Sequence, residues 1–329
     1  MKEKHGGNKI AMEAQIAALK ALLKAKRAQL MRPVSTNVRS LTRYQWVLLL
    51  LLLVVAPLLT GVWWGNRIEV ARIHVPVEGS GEPFRLAVLS DIHIGAGGYG
   101  MEHWRRAIAL VEQQQPDAIL LLGDYITSHV GIPALKEALS GIHAPLGVYA
   151  VLGNHDHWAG SKAIVRILEE QGIQTLTNRA VRLRQGNSEL WLVGIDDLWS
   201  GKPDWQKAFR HVPRNAPVVL LSHNPDAALS PYRERANLIV SGHTHGGQMW
   251  LPLARVLARM LGVALIPHSE YGSRYPHGLR QEGRTWVYVT KGVTAGNRLP
   301  RWFNAREVVL IEIRPVTRRL SSAWLRPTR

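Results

Sequence analysis

Five short polar clusters in this sequence hold side chains able to do metal and acid–base chemistry. They are Asp91-Ile92-His93, Gly123-Asp124, Gly153-Asn154-His155-Asp156, Ser222-His223 and Gly242-His243-Thr244-His245. Carboxylates, imidazoles and an amide oxygen are ligand types that first-row divalent cations accept. The chain has no cysteine, which excludes a disulfide scaffold, a thiolate zinc site and cysteine catalysis and leaves His as the main soft ligand. Each cluster alone has an ordinary structural explanation. Gly-Asp is a common turn, and Asn-His-Asp also reads as the start of a helix, with Asp156 or Ser161 as its cap. Jointly they are harder to explain that way. Gathering Asp91, Asp124, Asn154, His93, His223, His243 and His245 in one cleft is costly without metal or hydrogen-bond partners, and the set suits a pair of divalent metals.

Each cluster follows a short apolar run, at 85–89, 118–122, 148–152, 218–221 and 238–240. Further strand-like runs lie at 190–195, 286–289 and 308–313, and helical stretches at 101–114, 133–139 and 161–171. Strands alternating with helices predict an α/β fold with largely parallel, buried strands. Ligands of such sheets bind beyond the carboxyl ends of the strands, where all five clusters fall.

In this order, D-x-H, G-D, G-N-H-D, a lone H and G-H-T-H resemble the five blocks of the calcineurin-like metallophosphoesterases, with no block missing. The resemblance covers 68–313, roughly three quarters of the chain. Gly194-Ile195-Asp196-Asp197-Leu198-Trp199, His223-Asn224-Pro225-Asp226 and Gly246-Gly247-Gln248 are similar to the family's membrane-anchored bacterial phosphodiesterase branch. The resemblance implies a four-layer αββα sandwich and two divalent metal ions (Mn, Fe, Zn or similar). Asp91, His93 and His245 would hold the first, Asn154, His223 and His243 the second, and Asp124 would bridge them. It further implies two catalytic residues. His155 would face the substrate, stabilising charge or protonating the leaving oxygen, and Asp156 would orient or charge that imidazole. The implied reaction is hydrolysis of a phosphodiester or pyrophosphate by a hydroxide shared between the metals. His129 and His157 sit near the same loops and read as structural.

The 329 residues include 46% apolar ones, which excludes global disorder. The net charge of +17 is carried largely by the ends. Residues 1–45 hold ten Lys and Arg against two Glu, and the last 16 residues hold five Arg and no acid. A nucleic-acid-binding domain would concentrate charge on its fold, so no nucleic-acid partner is expected. Residues 44–66 are free of charge, and as a helix they would span ~34 Å, enough for the hydrocarbon core of a bilayer. Trp46, Trp63 and Trp64 would lie at the two interfaces. The expected organisation is a basic, partly helical segment at 1–43, a transmembrane helix at 44–66, a metallophosphoesterase domain at 67–315 and a basic tail at 316–329. The basic flank places the N-terminus in the cytoplasm, so a single-pass protein of the bacterial inner membrane would carry its catalytic domain outside. Within 8–30, Met12, Ile16, Leu19, Leu23 and Leu30 suit either an N-terminal coiled-coil dimer or a helix held on anionic lipid.

The substrate is a phosphate ester, and several sources stay open. Residues 250–267 read either as a helix packed on the domain or as an interfacial helix admitting a phospholipid or nucleotide-lipid. Arg274, Arg280, Arg298, Arg301 and Arg306 offer phosphate contacts or solvated surface. The alternatives are an exported phosphoesterase acting on soluble nucleotide or envelope phosphates and, outside the enzymes, a membrane-tethered metal-binding adaptor. The His155–Asp156 pair argues against the adaptor, which has no need of a leaving-group residue.

Overall fold

Side chains along a strand alternate between its two faces, and several strands here are buried on both. Phe84–Leu89, Ala118–Leu121, Val218–Leu221 and Leu238–Ser241 consist almost wholly of buried residues. Such strands must be covered twice. The computed structural model shows how, for residues 17–18, 20–27, 42–78, 81–95, 98–247, 260, 269–294 and 301–316.

Two six-stranded sheets face each other. The first contains β1 (Ile68–Glu78), β2 (Phe84–Leu89), β3 (Ala118–Leu121), β4 (Val148–Ala150), β5 (Gln174–Thr175) and β12 (Arg306–Val316), in the order β1-β12-β2-β3-β4-β5. The second contains β6 (Arg179–Gln185), β7 (Ser188–Gly194), β8 (Val218–Leu221), β9 (Leu238–Ser241), β10 (Gly278–Glu282) and β11 (Thr285–Val289), in the order β10-β11-β9-β8-β7-β6. Strands β2 to β5 run parallel, as do β7, β8, β9 and β11; β12–β2, β6–β7 and β10–β11 are antiparallel.

The alternation separates three cores. Leu86, Val88 and Leu120 of the first sheet join Leu192, Val219 and Val240 of the second between the sheets. Their neighbours Ala87, Leu89 and Leu121 pack outward on Trp104 and Val111 of α2 (Met101–Gln114), Leu135 of α3 (Ile132–Leu139) and Leu168 of α4 (Asn154–Glu170). Val193, Leu220 and Ile239 pack on the other outer side against Phe209 of α5 (Trp205–Phe209) and Tyr271 of α6 (Glu270–Arg274). Each fully buried Leu or Val contributes ~1.5–3 kcal/mol of transfer free energy. The result is the expected four-layer αββα sandwich.

Two differences from the sequence reading have physical causes. The helix expected from residue 161 begins at Asn154, because extended Gly153 caps it and Asp156, three residues on, accepts the Gly153 N–H at 2.9 Å. Gly160, at φ 118°, breaks that helix just before residue 161. Strand β1 carries no clear sequence signal because it is an edge strand with a half-exposed pattern, where Pro76 is tolerated.

The chain divides into two units, Met1–Leu53 and Val54–Arg329, with the boundary inside α1 (Arg43–Gly65). Helix α1 has a mean hydropathy of 2.5 over its best 18 residues, and its only buried residues are Gly61 and Gly65. Within the second unit, Phe303 N–H donates to the Gly61 carbonyl at 2.9 Å. Upstream, residues 17–18 and 20–27 are helical, with Leu22 and Leu23 exposed. The rest of the 8–30 segment and the tail after 316 lie outside the described residues, as does 250–267 apart from helical, exposed Met260.

Candidate metal centre

The carboxyl ends of five parallel strands deliver all five clusters to one place. Strand β2 leads into Asp91 and His93, β3 into Asp124, β4 into Asn154, β8 into His223, and β9 into His243 and His245. The ligand atoms of Asp91, His93 and His245 lie within 4.8 Å of one another, and so do those of Asp124, His223 and His243. Asp124 lies between the two groups, with Oδ2 3.2 Å from His223 Nε2 and 3.5 Å from His93 Nε2. Asn154 Oδ1 is 3.0 Å from His243 Nδ1, which is also 3.2 Å from His223 Nε2. On the other side His245 Nε2 faces Asp91 Oδ1 at 3.7 Å.

Backbone carbonyls set the rings. His223 Nδ1 donates to the Leu122 carbonyl at 2.8 Å, and His245 Nδ1 to that of Thr294 at 3.2 Å. These bonds orient the rings and turn each Nε2 toward the carboxylates. The turns carrying the ligands are strained. Among the described residues eight non-glycine residues have left-handed φ, and five of them are Asp91, His93, Asp124, His243 and His245. Each costs ~1–2 kcal/mol, a strain that persists only where the surroundings over-determine it. Here Asp91 N–H is tied to the Gly123 carbonyl, His93 N–H to that of Asp124 and Gly242 N–H to that of His223. Two glycines are required by space. A Cβ on Gly153 would collide with the Asp124 carboxylate, and one on Gly242 with Ser90 Oγ and the Asp91 carboxylate.

The protonation states suit cation binding. Burial holds His93 down to about 3; burial, then the neighbouring His223, holds His243 down to about 4; and burial lowers His245 as well. Burial alone would raise Asp124, but His223 and its hydrogen bond outweigh it and keep the carboxyl well below the usual range. Burial likewise opposes and fails to prevent the lowering of Asp91 by His245 and His223. His223 is pushed up to about 10: burial favours its neutral form, and the Asp124 carboxylate prevails. Two ionised carboxylates thus face the neutral imidazoles of His93, His243 and His245 and the positive charge of His223, which is held by Asp124, a donor set that calls for cations. His93 gives an independent test. It is fully buried, and neither ring nitrogen has a hydrogen-bond partner, a costly arrangement that ligation of a metal would relieve at one nitrogen. The clusters fit a divalent metal site.

Of the two residues expected to be catalytic, His155 faces the centre and Asp156 is turned onto backbone. Asp156 does not orient His155. Its buried carboxylate accepts three backbone N–H groups, from Gly153 at 2.9 Å, Asp124 at 2.8 Å and Tyr125 at 2.9 Å. Helix geometry explains this, since the third residue of α4 turns back onto its own N-terminus. Burial, then the Asp124 charge, raises its carboxyl to about 7 against the pull of those donors. His155 Nδ1 instead pairs with the Thr127 carbonyl at 2.9 Å. The His155 ring also joins His93 and Asp124 in a third possible ligand group within 4.8 Å. His157 has the structural role expected, pairing through Nε2 with Asp196 Oδ1 at 2.8 Å.

The five arginines read as phosphate contacts or solvated surface differ in their surroundings. Arg301 and Arg306 are buried, Arg274 is ion-paired with Glu270, and Arg280 with Glu282; Arg298 lies outside the described residues. Arg301 instead donates to the Thr294 carbonyl, the group that orients His245. No sequence signal marked Thr294 or that use of Arg301. Trp158 and Trp199 also flank the centre, with Trp158 4.8 Å from the His155 ring and Trp199 6.1 Å from that of His243. Trp199 lies in a segment quoted above for its resemblance, and Trp158 follows the G-N-H-D block by two residues; neither pattern alone told of a place at the site.

Comparison with known proteins places this geometry. The family model for calcineurin-like phosphoesterases matches residues 84–247. Phosphodiesterase YaeI of Escherichia coli is 33% identical over 70% of this chain and 82% of its own length. The uncharacterized metallophosphoesterase YkuE of Bacillus subtilis is 31% identical over 69% of this chain and 78% of its own. A transmembrane protein with metallophosphoesterase domain from Danio rerio is 32% identical over 68% of this chain and 52% of its own.

Proposed function

The chain belongs to the calcineurin-like phosphoesterase family and is a metal-dependent phosphoester hydrolase; from that premise we propose that it is a membrane-anchored dinuclear phosphodiesterase. The observation that carries two metals is Asp124. Its Oδ2 faces both His93 of one ligand group and His223 of the other, the position of a ligand common to two cations. Asp91, His93 and His245 would hold one ion and Asn154, His223 and His243 the other, with Asp124 common to both. Bound there, two divalent ions supply Lewis acidity that makes water nucleophilic near neutral pH and offsets charge on the phosphoryl oxygens.

The chain's own groups do the rest. In hydrolysis a water oxygen bonds phosphorus, the bond from phosphorus to the leaving oxygen breaks, and that oxygen takes up a proton. His155, with Nδ1 donating to the Thr127 carbonyl, delivers that proton from Nε2 as an imidazolium, and the proton shed by the attacking water restores the ring. The His155 N–H donates to Asp124 Oδ1 at 2.9 Å, so the same residue steadies the shared carboxylate. Asp156 acts as a positioning residue by fixing the Gly153–Tyr125 backbone around both. The name of the E. coli relative supports a diester over a monoester. The test is hydrolysis of bis(p-nitrophenyl) phosphate and p-nitrophenyl phosphate by metal-stripped protein resupplied with single divalent ions. The diester should be cleaved faster and only with metal; a monoester preference would refute the diesterase reading.

The anchor rests on α1 and its exit. Arg67 lies over Trp63 and Trp64, 5.2 and 5.3 Å from their ring centres, an arrangement suited to a membrane–water interface. The basic N-terminal segment orients the helix with that end outward. The chain should resist carbonate extraction from membranes, and protease outside spheroplasts should reach the catalytic domain. Extraction would overturn the anchor, and protection the orientation.

A further inference from the structure

Trp is among the most buried residue types on average, yet Trp158 is 56% exposed and Trp199 40%. Among the described residues after α1 they are the exposed aromatic side chains. Both lie at the metal centre. The rings of His155, Trp158, Trp199 and His243 follow one another at centroid distances of 4.8, 4.9 and 6.1 Å. The two indoles thus span the mouth from the His155 side to the His243 side. Each is held by its surroundings. Trp158 follows His155 by three residues in α4, so the two share a helix face. Trp199 ends a turn built on buried Asp197, whose Oδ2 accepts the N–H of Trp199 at 3.1 Å and of Ser200 at 2.6 Å.

The platform is uncharged. Of the charged residues around it in the same two segments, His157 and Asp196 are engaged with each other, and Asp156 and Asp197 with backbone N–H groups. It therefore offers no grip on a second phosphate. It is also two rings wide, with planes at 83°, a corner that matches a planar ring and is short for an acyl chain. Rigid aromatic faces take planar rings regardless of their substituents.

We propose that Trp158 and Trp199 form a stacking platform for an aromatic ring esterified to the substrate phosphate, so that the enzyme selects aryl or nucleoside phosphodiesters over wholly aliphatic ones. This deepens the diesterase reading of the same site. The test reads binding, so it does not depend on turnover. Full-length protein in detergent, loaded with Mn²⁺, is titrated calorimetrically with methylphosphonate, phenylphosphonate and octylphosphonate. Phenylphosphonate should bind about five- to a hundredfold more tightly than methylphosphonate, and octylphosphonate should gain less than phenylphosphonate. Trp158→Ala and Trp199→Ala should each reduce the phenyl advantage while leaving methylphosphonate affinity within about twofold, which also certifies an intact centre; Trp158→Phe should retain most of it. An equal or larger gain with octylphosphonate overturns the proposal and points to a lipid chain. A phenyl advantage that survives both Ala variants overturns it too. A phenyl preference without diester hydrolysis sinks the diesterase reading and leaves the platform standing.

Discussion

Asp124→Asn is expected to lower kcat/KM for bis(p-nitrophenyl) phosphate by at least about 10³-fold, the several kcal/mol a shared metal site supplies. The substitution keeps the size of the side chain and changes its chemistry. Asp124 accepts the His155 N–H at Oδ1 and faces His223 and His93 at Oδ2. An amide has one oxygen and no charge, so it can satisfy one of these demands and not the other. It also withdraws the negative charge that raises His223 to about 10. Metal content measured on the purified variant should fall with activity. Activity within tenfold of the parent, at full metal occupancy, would remove Asp124 from the position proposed for it.

His155→Ala and Asp156→Ala alter adjacent residues and should fail in different ways. His155 is half-exposed at the centre and supplies a proton-carrying nitrogen, so its loss should cost turnover by ~10²–10⁴-fold with metal content and thermal midpoint preserved. Loss of metal instead would show that His155 is a ligand, as its place beside His93 and Asp124 permits. Asp156 is fully buried and satisfies three backbone N–H groups. Removing its carboxylate leaves three buried donors unpaired at ~1–3 kcal/mol each. The thermal midpoint should therefore drop by about 10 °C or more, with activity lost through disordering of the Gly123–Tyr125 and Gly153–His155 backbone. A variant of parental stability that is merely slow would show that Asp156 acts on the reaction itself.

Much of the fold was legible because its causes are local. The runs at 85–89, 118–122, 218–221 and 238–240 became β2, β3, β8 and β9 nearly residue for residue, since an uninterrupted apolar run suits a strand buried on both faces. The order of the clusters along the chain likewise pointed to strand ends. Strand β1 and the true start of α4 were not legible. The first is stabilised by its pairing with β12. The second depends on an Asp whose partners include N–H groups about 30 residues away.

By itself the sequence determined which chemistry is available. The residue types, their order and their place after apolar runs specify an α/β frame presenting carboxylates and imidazoles at one edge, because those properties follow from side-chain chemistry and period. Only the tertiary structure decided what each residue does there. His155 and Asp156 are adjacent in the chain, yet one faces the centre and the other holds backbone, because successive residues in a helical turn point about 100° apart. Arg301 reads as a phosphate contact or solvated surface and proves to be a buried support for Thr294. Trp158 and Trp199 meet at 4.9 Å across 41 residues of chain, a contact that exists only once two sheets bring their loops together.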